Sequence, residues 1–239
     1  MYYKVIQSTF IVKNTVLATD NDNYGKFLEK MNKRQIKLFD LIIETDKKIN
    51  MGVDLYHSIW RNLATWGGQY IDRIESLNEP IALSSLLMNN KHDNFILKQQ
   101  IYDIIFDIQD ICQRQSSSQW SVPDPINNGT NFWEYLYEKR RKKNFNNICS
   151  RLNSYFVFTN ENDCKRYRDN IRGGNGEIVG IEIVESNNIF ESDMQLMDKL
   201  ENHFTINTIN TFIDNYWNRI YTQKPIIEIM FQGKFKIIT

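Results

Sequence analysis

The sequence predicts an α+β fold. Short runs rich in aromatic and β-branched residues open and close the chain, YYKVI at 2–6 and PIIEIMFQGKFKIIT at 225–239. Apolar residues recur at helical spacing through the long middle. From about residue 155 onward strands and helices are mixed, and together these features place a sheet beside a helical segment.

YYKVI and FIVKNTVL at 10–17 are expected as strands, and the polar TDNDNYG run after them as a turn. From Phe27, the positions Leu28, Met31, Ile36, Phe39, Leu41, Ile42 and Ile43 recur at mostly helical spacing and predict helix, continued by LYHSIWRNLATW up to Gly67 and Gly68. Residues 93–114 place Phe95, Ile96, Ile101, Ile104, Ile105, Ile108 and Ile111 at periods of three and four, which predicts a long amphipathic helix. SSSQWSVPDPINNGT at 116–130 is a loop and NFWEYLYEKRRKKNF at 131–145 a further helix. Beyond it YFVF is expected as a strand, NENDCKRYRDNI as a helix, GGNG as a turn, EIVGIEIV as a strand and TINTINTFIDNYW as a helix. The chain then closes on a hairpin with Gln232–Gly233 at its turn. If the first strands join the late sheet, the helices at about 27–147 form a large insertion within a single domain spanning 1–239.

Composition bounds the partners. Twenty-nine basic residues balance twenty-nine acidic ones, so no long-range field draws the whole molecule to nucleic acid, and such a contact must rest on a local patch. Cys112, Cys149 and Cys164 fit neither a disulfide framework nor a zinc motif, and a reducing cytoplasm is the expected location. His57, His92 and His203 lack ligand spacing, so no metal is expected. No apolar run is long enough to span a membrane, and no membrane partner is expected. The Asn, Ile and Lys bias marks an AT-rich genome and says nothing of mechanism.

One residue stands out chemically. Glu228 lies among isoleucines in PIIEI, and a lone charge in a strand apolar on both sides must be paired, exposed or neutralised. It is therefore either an edge residue or a site. Two other stretches share its setting at a strand or strand entrance: YYKVI, and CSRLNSYFVF at 149–158.

The order of these pieces resembles the ADP-ribosyltransferase-like fold, in a bacterial and phage branch distantly similar to DNA-targeting ADP-ribosyltransferase toxins. The resemblance rests on Ser150, Arg151 and Ser154 in SRLNSYFVF, on Tyr216 and Trp217 in NYW, and on Glu228 and Gly233 in the last strands. It covers the first ten residues and roughly the last hundred. It implies a split β-sheet core with a large helical insertion, NAD as substrate, transfer of ADP-ribose to a nucleic acid or protein acceptor, and the biology of a toxin with a neutralising partner or of a phage-conflict effector. Where the family often has His in its first strand, this chain has Lys4.

Under this resemblance Glu228 and Arg151 are the expected catalytic pair. A carboxylate near the anomeric carbon stabilises an oxocarbenium-like ribose, and a forked guanidinium suits a pyrophosphate. Tyr3, Lys4, Ser150, Ser154, Tyr155 and Phe156 are the expected NAD contacts, the aromatics by stacking on nicotinamide. The run Lys139, Arg140, Arg141, Lys142 and Lys143 is a candidate nucleic-acid contact beside that site. Each has a plainer reading: Glu228 as an edge charge, Arg151 as a surface ion-pair partner, the aromatics as core, and the basic run as a solvated helix end complementing the dipole. Two alternatives to a transferase stay open, an NAD glycohydrolase and a non-catalytic module of the same fold that binds through its helical middle.

Overall fold

The computed structural model describes residues 1–7, 13–19, 33–50, 52–53, 130–201 and 204–238. The helices expected at 55–66 and 93–114, nearly all of the loop at 116–130, residues 10–12 of the second expected strand and residues 20–25 of the first turn lie outside them. The chain divides into two compact units, one of Met1–Lys30, Trp133–Leu200 and Asn210–Thr239, the other of Met31–Phe132 and Glu201–Ile209.

The first unit holds a five-stranded sheet in which every ladder is antiparallel: β1 (Tyr2–Ile6), β2 (Leu17–Ala18), β3 (Tyr155–Phe158), β4 (Glu177–Asp193) and β5 (Ile227–Ile237). The first strands do join the late ones. β1 pairs with β3 and with the first third of β4, β3 pairs with β5, and β5 pairs with the rest of β4. The ladders thus close into a circuit, which the 17-residue length of β4 makes possible. One face of the circuit encloses Val157, Val179, Ile181, Ile229, Phe231, Phe235 and Ile237. The other carries Val5, Phe158, Cys164, Met194 and Ile226. Period-two alternation along each strand separates the two sets.

Two strand expectations are corrected. EIVGIEIV is the first part of a strand that runs on through ESNNIFESD to Asp193, its later residues paired with β5 while most of 184–189 stay exposed. The closing hairpin is instead one continuous strand. Gly233 has φ +148 and marks an irregularity in the β4–β5 register, with its N–H donated to Thr19 Oγ1 and its carbonyl accepting from Thr19 N. A Cβ there would sit 2.0 Å from the Glu185 carbonyl oxygen, so glycine serves a close approach of two backbones.

The described helices are α1 (Lys33–Ile49), α2 (Thr130–Asn144), α3 (Glu161–Ile171), α4 (Gln195–Asp198) and α5 (Ile206–Trp217). α3 starts at Asn160, whose side chain accepts from the Asp163 amide, and packs Cys164 and Tyr167 beneath Phe158. The GGNG turn after it uses three glycines at positive φ. In the second unit α1 buries Phe39, Ile42 and Ile43, and its buried Asp46 accepts from the amides of Gly52 at 2.8 Å and Ile206 at 2.6 Å. That carboxylate sits on the first residue of α5, where orphan amides and the helix dipole favour an anion.

Candidate functional site

Residues 150–154 fold into a single 3-10 turn that carries Arg151 inward. Ser150 caps the turn by accepting from the Leu152 amide at 3.2 Å, and Ser154 Oγ donates back to the Ser150 carbonyl at 2.6 Å. The two serines of the Ser-Arg-x-x-Ser stretch therefore fix the turn, and Arg151 between them is only 5% exposed.

The guanidinium of Arg151 has two carboxylate partners on different edges. Its Nε and Nη2 each donate to Glu134 of α2 at 3.1 Å, a side-on fork. Its Nη1 donates to Glu228 Oε1 at 2.7 Å and to Tyr216 Oη, and Tyr216 Oη in turn donates to the same Glu228 oxygen at 2.8 Å. Burial opposes the charge on Arg151, but Glu134, Tyr216 and Glu228 outweigh it and hold the group protonated. One cation thus faces two carboxyls, in a site with little access to water.

Glu228 is 5% exposed and lies on β5 with β3 on one side and β4 on the other. It is not an edge residue. It pairs across the sheet with Phe158, which pairs with Tyr3, and on the other side with Ser192. Directly paired residues share a face, so Tyr3, Phe158, Glu228 and Ser192 form one row. Ser192 Oγ donates to the Tyr216 carbonyl at 2.7 Å and ties the end of α5 to that row. Both hydrogen bonds of Glu228 fall on Oε1, and among the described residues Oε2 has no partner. The fully enclosed, unpartnered side-chain polar atoms of the described residues are Tyr137 Oη and Trp217 Nε1, and Glu228 Oε2 is not one of them.

Aromatic rings wrap the cation. The Arg151 guanidinium carbon lies 4.6 Å from the ring centre of Phe156, 5.0 Å from Tyr216 and 5.5 Å from Tyr137. Tyr137 stands edge-on to Tyr216, and Trp217 packs on Phe190. Burial pushes the phenols of Tyr137 and Tyr216 well above the usual tyrosine range. Tyr216 is therefore a proton donor to Glu228, not a base.

The expected site residues separate into two groups. Arg151, Ser150, Ser154, Phe156 and Tyr3 lie in the turn or on the Glu228 face, although Arg151 occupies the ring face of Phe156. Lys4 and Tyr155 lie on the opposite face: Lys4 Nζ donates to the Phe156 carbonyl at 2.7 Å and sits 3.9 Å from the Tyr155 ring centre, while Tyr155 stacks on Phe235 at 4.1 Å.

The basic run is likewise divided. Arg140 forks onto Asp214 of α5 at 2.6 and 2.5 Å, and Arg141 forks onto Glu138 and also donates to the Ile148 carbonyl. Burial works against the Glu138 charge, but hydrogen bonds from Arg141 and Ser150 hold its carboxyl below the usual range. Lys139, Lys142 and Lys143 are exposed, with Lys139 over the Tyr135 ring and Lys142 at 3.7 Å from Glu138.

Glu134 and Glu138 are partners that the motifs do not point to, and Tyr216 carries part of the resemblance without an expected role at the site. Glu134 and Glu138 stand one helical turn apart in FWEYLYEK, where neighbours Phe132, Leu136 and Tyr137 are buried. A carboxylate inside such an aromatic turn is the signal that would have found Glu134.

These features define an α+β protein with a closed antiparallel sheet and a buried arginine held between two carboxylates on one sheet face. The chain belongs to the DUF2441 family, described as a protein of unknown function, whose profile matches residues 17–239. No curated protein matches the chain.

Proposed function

We propose that the protein is an NAD-dependent mono-ADP-ribosyltransferase that modifies a macromolecule, acting as a toxin or phage-conflict effector. One observation carries the reading: Glu228 and Tyr3 occupy a single row on one face of the sheet, and Arg151 engages Glu228 through one oxygen only, leaving Oε2 unpartnered among the described residues. A late-strand Glu, the turn Arg that holds it and a first-strand residue on one sheet face support this reading.

In the reaction the bond between the nicotinamide nitrogen and ribose C1′ breaks, its electron pair leaving with nicotinamide. Glu228 Oε2 faces the cationic sugar, and Arg151 and Tyr216 hold the carboxylate by Oε1. The acceptor nucleophile then bonds to C1′ and its proton passes to Glu228 or to water. Nucleic acid is the acceptor placed first, because Lys139, Lys142 and Lys143 are exposed on the helix that carries Glu134.

The test is incubation of the full chain with labelled NAD and separate DNA, RNA and protein pools, beside Glu228→Gln. Label in a nucleic-acid pool, lost in the variant, is expected. Label in the protein pool alone would move the acceptor, and nicotinamide release without label would make the protein a glycohydrolase. Neither label nor nicotinamide sinks the enzyme reading and favours the second one, a non-catalytic module of the same fold. That second reading draws on the depth at which Glu228, Arg151 and Glu134 are buried, since such a network also serves to fix helices to a sheet.

A further inference from the structure

A guanidinium offers carboxylates two forked edges and can satisfy one oxygen or two, depending on how it is turned. In this site Glu134 takes the Nε and Nη2 edge of Arg151, which fixes the turn of the guanidinium, and in that orientation only Nη1 reaches Glu228. Tyr216 fills the remaining capacity of the same oxygen. We propose that Glu134 is a positioning residue for Glu228: by holding the Nε and Nη2 edge it fixes the orientation of Arg151, so that the arginine meets Glu228 through Nη1 alone and Oε2 stays available to a ligand. The inference rests on the transferase reading for what the ligand is, and on the geometry alone for how the arginine is held.

The surroundings support a built arrangement. Glu134 is 6% exposed and sits in the second turn of α2, so its carboxyl has little freedom to trade Arg151 for water. One turn later Glu138 accepts from Ser150 Oγ at 2.8 Å and from Arg141, and Arg141 donates to the carbonyl of Ile148. α2 therefore grips both the guanidinium of Arg151 and the turn that carries it. Without the carboxylate of Glu134 the guanidinium is free to turn, and a forked edge swings onto Glu228 to take both oxygens.

The test compares the full chain with Glu134→Gln and Glu134→Asp. The Arg151 Nε–H resonance, assigned through its loss in Arg151→Lys, is expected to move in Glu134→Gln and to stay near its native position in Glu134→Asp. On labelled NAD, Glu134→Gln is expected to lower kcat by on the order of tenfold or more with KM nearly unchanged, because the lost contact acts when the sugar becomes cationic. Glu134→Asp is expected to recover most of kcat. An unmoved Nε–H resonance in Glu134→Gln, or a native kcat in that variant, would overturn the proposal. An inactive native chain sinks the transferase reading alone, and the resonance comparison then decides the placement of Arg151 by itself.

Discussion

Arg151 and Glu228 meet end-on, through one nitrogen and one oxygen 2.7 Å apart, deep under α2 and α5. The two are 77 residues apart in sequence, so their pairing joins the 3-10 turn before β3 to the start of β5.

Removing the cation from this pair should cost more than removing the anion. Arg151→Ala leaves Glu134 and Glu228 buried without a counter-charge, a change that destabilises by about 3–5 kcal/mol. Glu228→Gln keeps one carboxylate against Arg151 and a side chain that still accepts from Tyr216. Urea unfolding at pH 7 should place Arg151→Ala well below Glu228→Gln, and equal midpoints would contradict the arrangement.

Gly233→Ala should be far worse than Gly174→Ala. Both positions have positive φ, but at Gly174 an added Cβ meets nothing within 4 Å, whereas at Gly233 it strikes the Glu185 carbonyl. Gly174→Ala carries only the left-handed penalty of about 1–2 kcal/mol. Gly233→Ala adds a clash that β4 and β5 must separate to relieve. Differential scanning calorimetry should show a drop of a few degrees for Gly174→Ala and a much larger one for Gly233→Ala.

Much of this fold is readable from residue type, and the unread parts share a cause. YYKVI and YFVF become strands because aromatic and branched side chains suit a half-buried pleat. The second half of β4 is hidden because ESNN faces solvent, so it lacks the alternation by which strands are recognised. Gly233 reads as a turn because Gln-Gly has turn chemistry, and only the partner strand shows that two backbones meet there. In the site, SRLNS and the late Glu point to two residues that do meet in the fold, but sequence order could not separate Lys4 from Tyr3. That choice is set by which face each residue takes in the β1–β4 register.

Asp198 should make the protein less stable as pH rises. Crowding by neighbouring atoms, then the charges of Glu228 and Asp193, push its carboxyl up to about 6 from an ordinary value of 3.8, although much of its surface still meets water. Between those values the folded chain keeps a proton that the unfolded chain has lost, so this group's contribution to stability falls with rising pH. Asp198→Asn removes the dependence. Its stability relative to the native chain should grow from about pH 4 to pH 6 and then level off, with solvent screening keeping the gain modest. A constant difference across that range would show that the carboxyl titrates normally.

The basic run should divide by residue when each member is cut to alanine. Arg140 is forked onto Asp214, and its loss should destabilise the fold measurably, because half-buried forked pairs contribute more than exposed ones. Lys143→Ala should leave the melting temperature unchanged. If the lysines contact a polyanion, the combined Lys139, Lys142 and Lys143 alanine variant should weaken nucleic-acid binding and flatten its salt dependence.

The closed circuit of ladders also has a kinetic meaning. β1 begins at residue 2 and is held between β3 and β4, while β4 and β3 are both tied to β5, which ends at residue 237. Pairings of such long sequence separation are slow to form. During synthesis β1 can pair once β3 and the start of β4 have emerged, but the ring stays open, with the edges of β3 and β4 unprotected, until the segment carrying Glu228 leaves the ribosome. The strand that brings the carboxylate to Arg151 is also the one that seals the sheet.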